Sequence, residues 1–186
     1  MTVIDKFYRI KFDENTLMLD RPKGYACYDA TPIGAKVFAS MGVDGIHYCI
    51  MPREGDITLE NSPVYRISPM DFAARTVVWT AKNFYDFISI SIELKDFWAL
   101  PCLVGLDKDE FVDLVEQYEY EFEMKNECEK TSILCCIESL RQSFNLVEIR
   151  NMYSYIQAAY SDKHNHLNLV FSTSDIFEEK LGIYHL

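Results

Sequence analysis

Two histidines near the carboxyl-terminal end are the first candidates for metal chemistry. His164 and His166 alternate along the chain, with Asp162 and Asp175 close in sequence. Alternate residues of a strand point to the same side, so the two imidazoles are candidates to share a zinc ion with a nearby carboxylate. The stretch around them is polar and typical of a loop, and no third ligand is defined. We therefore expect no metal site and no cofactor.

Thiol chemistry is the second candidate. His47 and Cys49 alternate on one predicted strand, and a Cys–His pair can activate a thiolate nucleophile. Their neighbours are apolar, which favours packed, structural side chains instead. Cys128 and Cys135 share a helical face in an apolar run next to Cys136. We expect these thiols to be buried and inert, and the irregular cysteine gaps without C-x-x-C indicate a reduced protein.

No segment of the chain carries a recognisable catalytic motif. The Gly42-Val43-Asp44-Gly45 stretch lacks the lysine of a phosphate loop and leads into a strand, so it is interpreted as a tight turn. There is also no G-x-S-x-G and no H-E-x-x-H. We expect a protein that is not an enzyme; the alternative is a small hydrolase with an unrecognised His or Cys site.

The most distinctive polar feature is the segment 107–129, with ten acidic residues against Lys108 and Lys125. Asp107 followed by Glu110 predicts a capping-box start of a helix. The face opposite its apolar stripe carries five candidate partner-binding residues: Asp109, Asp113, Glu116, Tyr120 and Glu123. Like charges three and four residues apart cost a few tenths of a kcal/mol per pair. A docking surface for a basic partner explains that cost, with Tyr120 as an aromatic anchor; a solvated helix face is the simpler interpretation.

Composition restricts the class of partner. The 186 residues are 49% hydrophobic and 25% charged, which predicts a folded globular chain. A net charge of −11 argues against nucleic acid, which needs clustered Lys and Arg. No run approaches the roughly 18 apolar residues of a membrane span, and no signal-type block begins the sequence. We expect a cytoplasmic protein with a protein partner and no membrane contact.

The elements divide into a sheet-rich first half and a helical second half. A hairpin is predicted from 7–12 and 16–19, and a helix over 30–41. Strands are predicted at 46–51, 57–59, 64–67 and 76–80, antiparallel because their links are short. Helices follow from Asn83, from Asp107, around 133–144 and around 149–160. A possible edge strand (167–171) and a short helix (175–180) complete an α+β fold with a mainly antiparallel sheet, flanking helices and a helical C-terminal half.

Residues 42–92 resemble the SMI1/KNR4-like (SUKH) superfamily. The resemblance lies in the order of parts: Gly42 and Gly45 before IHYCIM, the turn at Gly55, VYRI, VVW and then the helix AKNFYDFISISI. It departs from the family at Pro22, in place of a helical Leu-Pro signature, and in the helices after residue 106. It implies one domain over 1–186, with a SUKH-like core at 1–106 and a helical extension at 107–186 packed on it.

The resemblance implies protein binding without catalytic residues. Many bacterial members resemble immunity proteins that neutralise toxins, and fungal relatives regulate cell-wall synthesis. We therefore expect a bacterial immunity protein, a monomer or weak dimer, that binds a basic toxin. A homodimeric regulatory module built on exposed aromatics stays an alternative, since 14% of the chain is Phe, Tyr or Trp.

Overall fold

The computed structural model of the protein describes residues 1–11, 14–17, 19–20, 28–52, 58–71 and 76–161. Four strands form one antiparallel sheet in chain order: β1 (Lys36–Ser40), β2 (His47–Ile50), β3 (Val64–Ile67) and β4 (Val77–Ala81). Its helices are α1 (Val3–Arg9), α2 (Phe84–Leu94), α3 (Ala99–Cys102), α4 (Lys108–Glu123), α5 (Glu127–Ser143) and α6 (Met152–Ser161). Two 3₁₀ helices span Glu14–Leu17 and Leu59–Asn61. The α+β prediction is confirmed.

The central strand β2 is buried on both sides, as its apolar sequence predicts. It pairs with β1 on one edge and with β3 on the other, where Cys49 lies opposite Tyr65. On one face of the sheet, Tyr48 and Ile50 join a core shared with the helices. On the other face, Cys49 packs in a second cluster whose further buried members are Ala30, Met51, Tyr65, Ile67, Trp79 and Ala159.

Helix α2 covers the first face of the sheet through the buried rings of Phe84 and Phe87, the latter against Tyr48 of β2. It begins where Asn83 accepts a hydrogen bond from the Asp86 backbone N–H at 2.9 Å, as the sequence predicts. The fully buried Phe84 ring lies 5.3–5.7 Å from the rings of Phe7, Phe38 and Phe144. Because these rings come from α1, from β1 and from the residue that ends α5, Phe84 joins both halves of the chain in one core.

The prediction of an amino-terminal hairpin is wrong. The predicted hairpin over 7–12 and 16–19 is replaced by α1 and the first 3₁₀ helix. Thr2 and Asp5 form a capping box, with the Thr2 hydroxyl accepting from the Asp5 N–H at 3.1 Å and the Asp5 carboxylate accepting from the Thr2 N–H at 2.8 Å. Val3 and Phe7, one helical turn apart, provide the buried face.

The predicted helix over 30–41 is instead a turn followed by β1. Gly34 takes a positive φ of 85°, which favours glycine, and Ile33 is exposed rather than buried. A bulge between Val37 and Ala39 breaks the strand alternation, so Phe38 and Ala39 are both buried. The helix prediction rested on the spacing of Ile33, Val37 and Phe38, which matches one face of a helix. Of the predicted strand 57–59, Leu59 begins a 3₁₀ helix, and residue 57 lies outside the described residues.

Helix α6, the last of the described helices, is tied to the junction between β4 and α2. The Tyr155 hydroxyl donates to the Asp86 carboxylate at 2.6 Å and accepts from the Lys82 backbone N–H at 3.2 Å. Burial raises the pKa of Tyr155, and the Asp86 carboxylate raises it further, so the phenol stays protonated. The predicted strand 167–171 and helix 175–180 lie outside the described residues.

We expect Tyr155→Phe to lower the free energy of unfolding by about 1–2 kcal/mol, because it removes a hydrogen bond to a charged acceptor and leaves the packing intact. Urea denaturation would measure this loss. Tyr153→Phe on the same helix is the matched control, since the Tyr153 hydroxyl makes no hydrogen bond within the described residues. Equal effects of the two variants would contradict the assigned role of the Tyr155 bond.

Candidate functional site

The candidate surface is the outer face of α4, and its position follows from how that helix begins. The Asp107 carboxylate accepts hydrogen bonds from the backbone N–H groups of Asp109 and Glu110, both at 2.9 Å. The Glu110 carboxylate accepts in return from the Asp107 N–H at 3.1 Å. The predicted capping box is therefore confirmed, and it fixes where the helix begins.

The inner face of α4 packs against neighbouring elements. Phe111 and Phe122 are buried, and the Phe111 ring lies 5.3 Å from that of Tyr153 on α6. The ammonium groups of Lys95 and Lys130 lie 4.9 Å and 5.9 Å from the centre of the Phe122 ring. These contacts at both ends hold the helix in one rotational setting. The apolar stripe predicted for α4 also places three half-buried residues on this inner face: Leu114, Val115 and Tyr118.

The structure places all five predicted partner-binding residues on the exposed side of α4. Tyr120 lies about one turn before the end of α4 on that side and is 65% exposed. Met124, which the sequence analysis did not single out, follows one turn later and is 68% exposed. An exposed aromatic ring and a flexible thioether among carboxylates form the kind of mixed surface that protein interfaces use. We call this set the acidic face: Asp109, Asp113, Glu116, Tyr120, Glu123 and Met124.

The carboxylates of the acidic face differ in whether the protein itself neutralises them. Glu123 accepts a hydrogen bond from the Lys130 ammonium at 2.8 Å, and this bond lowers the pKa of Glu123 and raises that of Lys130. Asp109, Asp113 and Glu116 make no ion pair with any described residue. These three carboxylates are therefore the part of the face that a basic partner can neutralise.

A depression of about 240 Å³ borders α4 and was not foreseen from the sequence. Its apolar lining residues are buried or half-buried, and its charged ones, Glu93, Glu119, Glu148 and Arg150, are exposed. A wider cleft of about 730 Å³ continues from it and shares Glu93 and Glu148. The lining of the depression comes from α2, α4, the segment before α6 and the first residue of α6, so only the folded chain brings it together.

His47 and Cys49 are both buried, as their apolar neighbours in the sequence predict. The His47 ring nitrogens are 2.7 Å from the Gly45 carbonyl oxygen and 3.1 Å from the Thr31 hydroxyl, and the ring stacks on Tyr28. Both nitrogens are thus engaged within the protein. Burial lowers the pKa of His47, because the charged imidazolium is disfavoured away from water.

The cysteines of α5 correct one expectation. Cys136 is buried, as predicted, but Cys128 and Cys135 are exposed. The reason is that the buried face of α5 is narrow and runs through Ile133 and Ile137, so the neighbouring positions turn towards solvent.

The structure bears on the metal and membrane predictions only within its described residues. His164, His166, Asp162 and Asp175 lie outside the described residues. Within the described ranges, no group of three or more His, Cys, Asp or Glu side chains is arranged to hold a metal ion. None of the helices described is long and apolar enough to cross a membrane.

Comparison with known proteins finds no matching family model, no matching curated protein and no matching solved structure.

The lowered pKa of His47 predicts a pH-dependent stability. The unfolded chain takes up a proton near the ordinary pKa of 6.5, whereas the folded chain resists it, so the free energy of unfolding falls as pH drops below about 6.5. We expect His47→Gln to remove this part of the pH dependence. Urea denaturation of both proteins at about pH 7.5 and about pH 5.5 measures the difference. Identical slopes with pH would contradict it.

The thiols of α5 should differ in reactivity. Iodoacetamide is expected to modify Cys128 and Cys135 rapidly in the folded protein, because both side chains are exposed, and Cys136 only after denaturation. Peptide mass spectrometry over a time course measures each site, and buried Cys49 serves as a second protected reference. Rapid modification of Cys136 before unfolding would contradict the described orientation of α5.

Proposed function

We propose that this chain is a non-catalytic binding protein that docks on a basic protein partner through the acidic face. The observation that carries the proposal is the exposed Tyr120 ring on the same helix face as Asp109, Asp113 and Glu116, three carboxylates without an ion pair in the described residues that lie one to three turns before it. Aromatic side chains are frequent anchors of interfaces, and complementary charge speeds encounter and selects the partner.

The cost of this arrangement supports a role in binding. Asp109 and Asp113 lie four residues apart on α4, and Asp113 and Glu116 three apart, so each pair is a neighbouring repulsion. Interspersed lysines would turn these repulsions into attractions without disturbing the buried side of the helix. A basic partner also offsets the repulsion when it binds, which a solvated face does not do.

The finer proposal is a bacterial immunity protein that neutralises a basic toxin in the cytoplasm. It is supported by the resemblance of residues 42–92 to SMI1/KNR4-like proteins. The order β2, β3, β4 and α2 is the order of parts on which that resemblance rests. A homodimer through the acidic face is less favourable, because it would bring the carboxylates of two copies together.

The test is the double charge reversal Asp113→Lys/Glu116→Lys. Affinity capture from the native cell with mass spectrometry identifies the partner, and titration calorimetry with that purified partner measures affinity. We expect about tenfold or greater weakening at low salt, with a smaller difference at high salt, because screening weakens the attraction in the original protein. Tyr120→Ala should weaken binding by about 2 kcal/mol if the ring is an anchor.

The matched control is Asp29→Lys/Glu138→Lys, which changes the net charge equally at two exposed positions outside α4. It should bind as the original chain does. Asp113→Lys/Glu116→Lys should unfold at the same urea concentration or slightly above it, because repulsions along α4 are removed. Full retention of binding by that variant, or equal loss in the control, would overturn the docking surface.

A further inference from the structure

We infer that the depression beside α4 receives a single arginine side chain of the partner; this inference rests on the function proposed above. The depression measures about 240 Å³, below the roughly 300–1,000 Å³ typical of small-molecule sites. Its size suits one inserted side chain, and the adjoining cleft of about 730 Å³ shares only Glu93 and Glu148 with it.

The lining suits the two parts of an arginine side chain. Leu94, Val115, Ile149 and Met152 provide an apolar wall, and Leu94 is only 6% exposed. Arginine buries its methylene stem along such a surface while its charged head stays near water. The exposed carboxylates of the lining are then available to that charged head.

The charge at the opening favours a cation. The charged lining residues are three glutamates and Arg150. Glu93 is engaged by the Arg141 guanidinium at 3.0 Å, whereas Glu119 and Glu148 make no ion pair with any described residue. A guanidinium offers five donors in a planar fork and can bond two carboxylates together, which an ammonium does less well.

The depression is continuous with the acidic face. Glu119 lies three residues after Glu116 on α4, so the two side chains are neighbours on the helix surface. A partner lying across the acidic face therefore meets this depression, called the recess below, at the edge of the face. An arginine held in a pocket and surrounded by weaker contacts is a common arrangement at interfaces.

The experiment titrates N-acetyl-arginine methylamide into the full chain carrying ¹³C-labelled methyl groups. We expect saturable shifts of the Leu94, Val115, Ile149 and Met152 methyl signals, with a dissociation constant in the millimolar range. The neutral analogue N-acetyl-citrulline methylamide should cause none that saturate. Absence of saturable shifts with arginine, or equal shifts with citrulline, would overturn the inference.

Two exposed double variants locate the binding. Glu119→Gln/Glu148→Gln should weaken arginine binding about tenfold or more, because it removes the charge-assisted hydrogen bonds from the guanidinium to the two carboxylates. The matched control Asp113→Asn/Glu116→Gln should leave it within about twofold. Equal weakening of arginine binding by the two double variants would indicate diffuse electrostatic attraction and would overturn the inference that arginine binds in the recess.

The two proposals fail separately. If arginine does not bind the recess while Asp113→Lys/Glu116→Lys still weakens the captured partner, the recess is wrong and the docking surface stands. If arginine binds the recess but that charge reversal leaves the partner's affinity unchanged, the acidic face is wrong as a docking surface.

Discussion

The burial of two aromatic rings from α2 is the constraint on which the rest of the structure depends. Phe84 reaches α1, β1 and the residue that ends α5, while Phe87 lies 4.9 Å from the Tyr48 ring and 5.4 Å from that of Phe97. Removing a fully buried phenylalanine typically costs about 3–5 kcal/mol, a large share of the stability of a small protein. The sheet, the amino-terminal helix and the later helices therefore share one core.

That shared core determines what α4 offers to a partner. The helix is held on its inner side by Phe111 and Phe122, and the capping box at Asp107 sets where it begins. Its outer side contacts α5 through the bond of Glu123 to Lys130. A rigid helix with an exposed ring among unneutralised carboxylates requires little ordering on binding, which lowers the entropic cost of association.

Sequence reasoning succeeded where local signals agree with burial and failed where they conflict. The strands β2, β3 and β4 and the caps of α2 and α4 were predictable, because apolar runs and Asn83 or Asp107 act over a few residues. β1 was mistaken for a helix because Ile33, Val37 and Phe38 are spaced as on one helical face, whereas Ile33 is exposed in the turn before the strand. The exposure of the acidic face followed from helical periodicity, but the neighbouring recess did not, because Glu148 reaches it only through tertiary folding.

The hydrogen bond from the Tyr155 hydroxyl to Asp86 joins positions 69 residues apart. The chain between them, which includes α3, α4 and α5, is therefore a closed loop fastened at both ends to the sheet side of the molecule. The entropy cost of closing such a loop depends only weakly on its length, so one strong contact can restrain a long segment of chain. A force applied by a partner to α4 would act first on the packing of Phe111 and Phe122, and through the rest of this segment on the bond between Tyr155 and Asp86.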